Sequence, residues 1–243
     1  HVYFNGNLGD PMMNPDIVEL VKCTQCHTAI TTNGSIGSKQ TWQDLAKQDV
    51  EVRFSIDGLE DTNHLYRQDV QWSKVMDRGK WFIDAGGKAI WKWILFKHNA
   101  HQEDETRQLA KKLGFVRFDK SDQGRNYGPA LDRKGNVTHW ILPADGSKEP
   151  NSYSLEEGIK RYKESHNNFT AEDKVYEIDC LHLRDHDSYI NAKGEVSPCC
   201  FHGYDMPGRP IVLLEDLPKL MATWKTKKCD PVCASTCGSK WRD

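Results

Sequence analysis

Glu51-Val52-Arg53-Phe54-Ser55-Ile56-Asp57-Gly58 reads as a β-strand that stops at an Asp-Gly turn. Four segments built the same way lie on either side of it. On the amino-terminal side, Val2-Tyr3-Phe4 enters the glycine-punctuated run Asn5-Gly6-Asn7-Leu8-Gly9-Asp10-Pro11, and Ala29-Ile30-Thr31-Thr32 ends at Asn33-Gly34. On the carboxyl-terminal side, a strand from Ala89 to Phe96 stops at Lys97-His98-Asn99, and Val116-Arg117-Phe118 forms the fifth. Helical segments fall between them. Asn14 as N-cap and Pro15 as first helical residue announce a helix through Ile17, Leu20 and Val21. A capping-box-like Thr41-Trp42-Gln43-Asp44 opens a second. A third carries Val70, Val75, Met76 and Phe82 and ends at Gly86-Gly87; a fourth runs from about Gln102 to Leu113 with Gly114 as its C-cap.

Strands alternating with helices predict an α/β fold with a parallel sheet, a partial (βα) barrel over residues 1–119. Ligands of such sheets sit at the carboxyl ends of the strands. Those ends are Asn5 to Pro11, Thr32 to Ser35, Ser55 to Gly58 and Lys97 to Asn99. Each alone is an ordinary turn composition, since turns favour Asn, Asp and Gly. Four on one rim predict a site.

Six of the eight cysteines lie between Cys180 and Cys237. Cys180, Cys199 and the adjacent Cys200 form one group; Cys229, Cys233 and Cys237, each four residues apart, form the other. Thiolates gathered from two distant segments are what a [4Fe-4S] cluster or a tetrahedral zinc ion requires, and the spacing leaves the choice open. Ser188 to Pro198 reads as two short strands around Asn191-Ala192-Lys193-Gly194, with Gly194 at a positive φ, a hairpin that draws Cys180 and Cys199 together. Pro231 and Gly238 point to a loop with one helical turn around the last three cysteines. The expectation is a small cysteine-rich metal-binding region over 179–243, joined to the barrel by a connector over 120–178. That connector reads as a hairpin around Trp140-Ile141-Leu142 and a short helix near Leu155 to Tyr162. Buried or disulfide-linked cysteines are the plainer alternative, but adjacent cysteines and a tight triplet fill a core poorly.

The 243 residues carry a formal net charge of −2, without the basic footprint of a nucleic-acid binder. No apolar run reaches membrane-spanning length and no signal peptide opens the chain, so a cytoplasmic protein with reduced thiols is expected. The Asn168-Phe169-Thr170 triplet matters only in a secreted protein. Cys23-x2-Cys26-His27 matches the c-type haem attachment pattern but sits between a helix and a strand, and two cysteines packed at the opposite rim are expected there. His98, His101, His182, His186 and His202 are expected at the surface, solvated or hydrogen-bonded, with contact to the cluster region as the alternative for His182 and His202.

The run Gly6 to Pro11 resembles the Gly-Gly-Glu-Pro loop of the radical S-adenosylmethionine (SAM) enzymes. Ile30-Thr31-Thr32-Asn33-Gly34, then Phe54-Ser55-Ile56-Asp57-Gly58 followed by Tyr66-Arg67, resemble that family's next strand ends in the same order. The Cys180/Gly194/Cys199 pattern is similar to the start of the SPASM or Twitch auxiliary-cluster region. The resemblance covers nearly the whole chain, weakly between about 120 and 178. It implies that Gly6, Asn7, Gly9 and Asp10 receive the SAM amino group, with Asn33 on the neighbouring strand end. Ser55 and Asp57 would lie near the ribose, Arg67 at the carboxylate, and Lys97 and Asn99 at the same mouth. Cys180 and Cys199, with two among Cys229, Cys233 and Cys237, would hold an auxiliary [4Fe-4S] cluster, Cys200 being a spare. The implied reaction is reductive SAM cleavage and hydrogen abstraction from a peptide or small molecule, with an electron donor as partner. The family's Cys-x3-Cys-x2-Cys loop would follow a strand preceding Val2, so a fragment of a longer enzyme is expected, the alternative being a natural relative that lacks this cluster. The competing expectation is a non-catalytic module stapled by structural zinc.

Overall fold

The computed structural model describes residues 1–6, 9–122, 127–145, 177–191, 193–203, 210–226 and 228–237. Asn7, the stretch near Leu155 to Tyr162, the Asn168 triplet, Ala192 and Gly238 lie outside them. The chain divides into two compact units, His1–Leu155 and Glu156–Asp243.

In the first unit, β1 (Val2–Phe4), β2 (Thr28–Thr32), β3 (Val50–Ser55), β4 (Lys88–Ile94) and β5 (Arg117–Ser121) form one sheet in sequence order. Every adjacent pair is parallel. Parallel neighbours oblige each connection to return the chain to the same end of the sheet, and helices do this. They are α1 (Ile17–Cys23), α2 (Lys39–Ala46), α3 (Asn63–Tyr66), α4 (Trp72–Asp84) and α5 (Glu103–Leu113). A strand order without reversal is that of a barrel rather than a doubly wound sheet, so the unit is an open, partial (βα) barrel.

The alternation of β3 sets the two faces. Val50, Val52 and Phe54 are buried, while Glu51 and Arg53 between them are half-buried. The buried set joins Ile30, Trp42, Phe82, Trp91, Trp93 and Phe115 in the core between sheet and helices. Trp42 stacks on Phe54 at 5.3 Å, and Phe115 meets Phe54 and Trp91 edge-on at 5.8 and 5.1 Å. Each such ring contributes about 1.5–3 kcal/mol by leaving water. On the other face Glu51 pairs with Arg53 at 2.9 Å and with Arg117 at 3.7 Å.

Several boundaries differ from the sequence reading, each for a local reason. Asn14 accepts the Asp16 N–H at 2.9 Å in a turn ahead of α1, so the helix starts at Ile17 with Asp16 as its cap. Ser38, not Thr41, caps α2, accepting the Thr41 N–H at 3.1 Å. Val70 precedes α4. β4 ends before Phe96, whose N–H turns aside to the Asn99 side chain at 2.8 Å. β5 continues past Phe118 to Ser121. Gly114 caps α5 at φ +91°, as expected. An antiparallel hairpin of β6 (Gly128–Leu131) and β7 (Val137–Ile141) carries Trp140 and Ile141 and packs Ala130 and Ile141 on Phe96.

The second unit is smaller. It holds α6 (Leu181–Arg184), the antiparallel pair β8 (Tyr189–Ile190) and β9 (Val196–Ser197), α7 (Leu217–Thr223) and α8 (Pro231–Thr236). Gly194 takes φ +81° in the β8–β9 turn, as its sequence requires. Its core gathers Leu220 and Ala234 with two thiols, Cys229 and Cys233, against Ile178, Val212, Leu217 and Trp224. Among the described residues no helix is long and apolar enough to cross a membrane.

Candidate functional site

The carboxyl ends of the strands are built from the backbone outward. After β1 the chain folds so tightly that a methyl group on Gly6 would strike the Gly9 carbonyl. Asp10 locks the far side of this loop to β2. Its carboxylate accepts the Met12 N–H at 2.9 Å, the Asn33 N–H at 2.9 Å and, with both oxygens, the Thr32 hydroxyl at 2.8 and 2.9 Å. The carboxylate suggested for the SAM amino group is thus filled by internal donors. Asn33 closes its own turn, its side-chain oxygen accepting the Ser35 N–H at 2.9 Å, and Gly34 holds φ +69°.

Ser55 and Asp57 follow at the end of β3, both buried. Asp57 Oδ1 accepts the Ile94 N–H at 2.6 Å and Oδ2 accepts Arg67 Nε–H at 2.6 Å. Its own N–H donates to Asn63 at 2.9 Å, and its carbonyl accepts from Asn99 at 2.7 Å. Burial pushes the Asp57 carboxyl up, and Arg67 and the Ile94 amide act against that push. Two residues that the resemblance sends separately to ribose and carboxylate are here bonded to each other. The Arg67 guanidinium also lies over the Tyr66 ring at 4.9 Å.

Around this pair stands a polar frame that the sequence reading missed, apart from Asn99. Gln102 accepts from the Leu59 N–H at 3.1 Å and from the Thr62 hydroxyl, and donates to Asp61 at 2.7 Å. Thr62, Asn63, Asn99 and Gln102 are all buried. Their residue types suit turns as well as sites, so only their burial marks them.

Lys97 is exposed, its N–H donating to the Leu142 carbonyl at 2.9 Å. His98 departs from the expected surface histidine: it stacks on Phe96 at 5.3 Å, and both its ring nitrogens are shielded from solvent without a hydrogen-bond partner. Burial first, and then His139, His64 and His101, lower it to about 4.

None of the eight cysteines forms a disulfide. Cys23 and Cys26 are exposed, at the end of α1 and in the approach to β2, which corrects the expectation that they pack. The other six are in the second unit. The Asp179 N–H donates to the Cys237 carbonyl at 3.3 Å, which brings the backbone beside Cys180 to the last cysteine. The Cys199 thiol is raised by burial and feels Cys200 and Cys180, while the Phe201 and His202 amides donate toward it. Burial also raises Cys229 and pushes Cys233 up to about 12, with Cys229 and Cys199 close enough to add. Buried thiols of this kind ionise when a metal replaces the proton. Asp230 caps α8, accepting the Val232 and Cys233 N–H groups at 2.9 and 3.4 Å. His202, also expected at the surface, is instead 3% exposed, with Nε2 3.3 Å from Cys233 Sγ. His182 lies 3.8 Å from Asp187.

No protein-family model and no curated protein sequence matches the chain. Solved structures do. Streptococcus suis SuiB bound to S-adenosylmethionine is similar at TM-score 0.54 and 17% identity, covering 96% of this chain and 55% of that one. SuiB bound to its precursor peptide SuiA gives TM-score 0.52 and 19% identity, over 96% and 54%. AdoMet-bound anSMEcpe gives TM-score 0.52 and 14% identity, over 94% and 65%. The chain thus spans little more than half the length of the SuiB structures that it matches. On these structural matches and its parallel five-stranded sheet, the chain has the fold of the radical SAM enzymes.

Proposed function

We propose that this chain carries the SAM-binding sheet and the auxiliary-cluster region of a radical SAM enzyme acting on a peptide. The observation that carries the reading is the joining of this fold to a unit in which cysteines of three segments converge. SuiB has been solved with SAM and with a precursor peptide, which favours a peptide over a small molecule as substrate. The region over 179–243 would be the SPASM- or Twitch-like part.

The thiols fit an iron-sulfur cluster better than a four-cysteine zinc site. Sulfurs around tetrahedral zinc lie about 3.8 Å apart, from a Zn–S distance of about 2.3 Å. Among the described residues no three cysteine sulfurs lie within 4.8 Å of one another, although Cys180, Cys199, Cys229 and Cys233 interact electrostatically in a chain. A cluster with ligands on separate irons takes the wider spacing. Cys180, Cys199, Cys229 and Cys233 or Cys237 would hold it, and it would pass electrons or anchor substrate, an external donor supplying them.

At the rim, the Gly6 and Gly9 carbonyls would receive the SAM ammonium, and Ser55 the ribose. Arg67, held by Asp57, would receive the carboxylate as a fork-shaped partner. Reductive cleavage of SAM requires three further thiolates beside it. The first unit has only Cys23 and Cys26, which lie before β2 rather than at the carboxyl rim, so these residues supply no such cluster and no cleavage step is assigned to them.

One observation favours the zinc-stapled, non-catalytic reading: ligand atoms of His202, Asp230 and Cys233 lie within 4.8 Å of one another. Equilibrium dialysis of anaerobically purified protein against labelled SAM tests the enzyme reading. Saturable binding that weakens about tenfold, roughly 1.4 kcal/mol, in Arg67→Ala is expected. Equal binding by Arg67→Ala, or none by the parent protein, would count against it.

A further inference from the structure

We infer that His202 is a positioning residue for the cysteine cluster, donating its Nε2–H to the Cys233 sulfur that ligates it. The inference rests on the cluster reading above. Residues 31 apart in sequence meet here because of a turn. The His202 and Gly203 N–H groups both donate to the Cys199 carbonyl, at 3.2 and 3.0 Å, and the Val212 N–H donates to the His202 carbonyl at 3.2 Å. The turn swings the imidazole under the cysteine segment and against the first turn of α8, where its Nε2 lies 3.3 Å from Cys233 Sγ and 3.8 Å from Asp230 Oδ1.

Three roles fit a buried imidazole beside a thiol: ligand of a single ion, ligand of a cluster, or donor to a liganded sulfur. A closed structural zinc site takes four ligands. Among the described residues the compact set stops at His202, Asp230 and Cys233, and the Asp230 oxygen nearest the ring is already the cap of α8. Cluster ligation by both residues fails on distance. Each iron of a four-iron cluster takes one protein ligand, and the ligands of different irons diverge, so two atoms 3.3 Å apart cannot serve two irons. The remaining role matches the spacing of an N–H···S bond. It also gives the buried nitrogen a charged acceptor once Cys233 is a thiolate. Trp224 strengthens the picture: its indole packs in the same small core, and its N–H acts as a second donor toward the Cys233 thiol, lowering a value that burial raises.

A donor aimed at a ligating sulfur takes up part of the negative charge that reduction adds. It therefore raises the reduction potential relative to a cluster without it. The effect needs no change in ligand count. His202→Phe keeps the ring volume and removes the donor; His202→Gln keeps an N–H.

The test purifies the parent protein, His202→Phe and His202→Gln anaerobically, counts iron and sulfide, titrates the reduction potential, and measures nitrogen hyperfine coupling on the reduced cluster. The inference expects full iron and sulfide in all three. It expects a lower potential in His202→Phe, partial recovery in His202→Gln, and a weak nitrogen coupling that His202→Phe removes. An unchanged potential in His202→Phe overturns it, as does a strong, directly bonded nitrogen coupling in the parent protein. If His202→Phe does not fold, the parent's coupling and the His202→Gln potential still decide. A parent protein with no iron, whether zinc-loaded or metal-free, defeats the cluster reading itself; iron present with no His202 effect defeats only this inference.

Discussion

Arg67 Nε–H donates to Asp57 Oδ2 across 2.6 Å, and the Asp57 side chain is wholly buried while Arg67 is a quarter exposed. The bond ties the end of β3 to the end of α3 and fixes the direction of a guanidinium at the carboxyl rim of the sheet. An isolated buried carboxylate is costly, so neither residue is replaceable alone. Arg67→Ala is expected to lower the unfolding free energy by about 3–5 kcal/mol, read as a lower urea midpoint. An Asp57→Asn, Arg67→Leu double variant should recover much of that loss while still binding SAM about tenfold more weakly than the parent. Equal stability of Arg67→Ala and the parent would show that the pair is not a structural tie.

Gly6 and Gly9 look equivalent in sequence but not in space. A methyl group on Gly6 meets the Gly9 carbonyl, whereas one on Gly9 finds only Met13 Sδ at 3.6 Å. Gly6→Ala should cost about 1–3 kcal/mol as an overpacked position, and Gly9→Ala less than about 0.5 kcal/mol. Paired thermal melts compare them. The same cost at both positions would mean that the close approach after β1 is absent.

His98 gives the first unit a pH signature. Its folded-state value is about 4 against 6.5 unfolded, so the unfolded chain binds the proton first as pH falls. The stability associated with neutral His98 is present above about 6.5 and lost as pH falls toward 4. Discounted for partial exposure, the loss is about 1–2 kcal/mol. Urea midpoints between pH 7 and pH 4 should fall less steeply for His98→Phe than for the parent. Parallel curves would remove His98 as the source.

What was legible in the sequence follows from what a strand or a cysteine carries on its own. The five strands and four of the helices between them were readable because each strand end is marked by Gly, Asn or Asp and each of those helices by an apolar face; the one-turn α3 carries no such face. The Gly194 turn and the two cysteine groups were readable by spacing. Partner choice was not. Asp57 and Arg67 are residue types that suit a ligand, and nothing in the sequence says that they face each other. Ser38 outcompeted Thr41 as a cap although both are good cap residues. His202 stood as one of several surface histidines, because only the turn after Cys199 and the start of α8 bring it to Cys233.

Asp230 organises the last cysteine segment. It caps α8 and orients the Cys233 N–H, so Asp230→Ala should cost about 1 kcal/mol of stability. It should also speed metal loss to a chelator, whereas Asp230→Asn, still a cap, should retain metal more nearly like the parent. Chelation kinetics that do not distinguish Ala from Asn would deny the capping role.

The most direct measurement is iron, acid-labile sulfide and zinc per chain after anaerobic purification, with the visible spectrum. The account predicts about four irons and four sulfides. Both should be lost in a Cys199→Ser, Cys233→Ser double variant and kept in Cys23→Ser, Cys26→Ser. One zinc without sulfide, or iron that survives loss of Cys199 and Cys233, would contradict it.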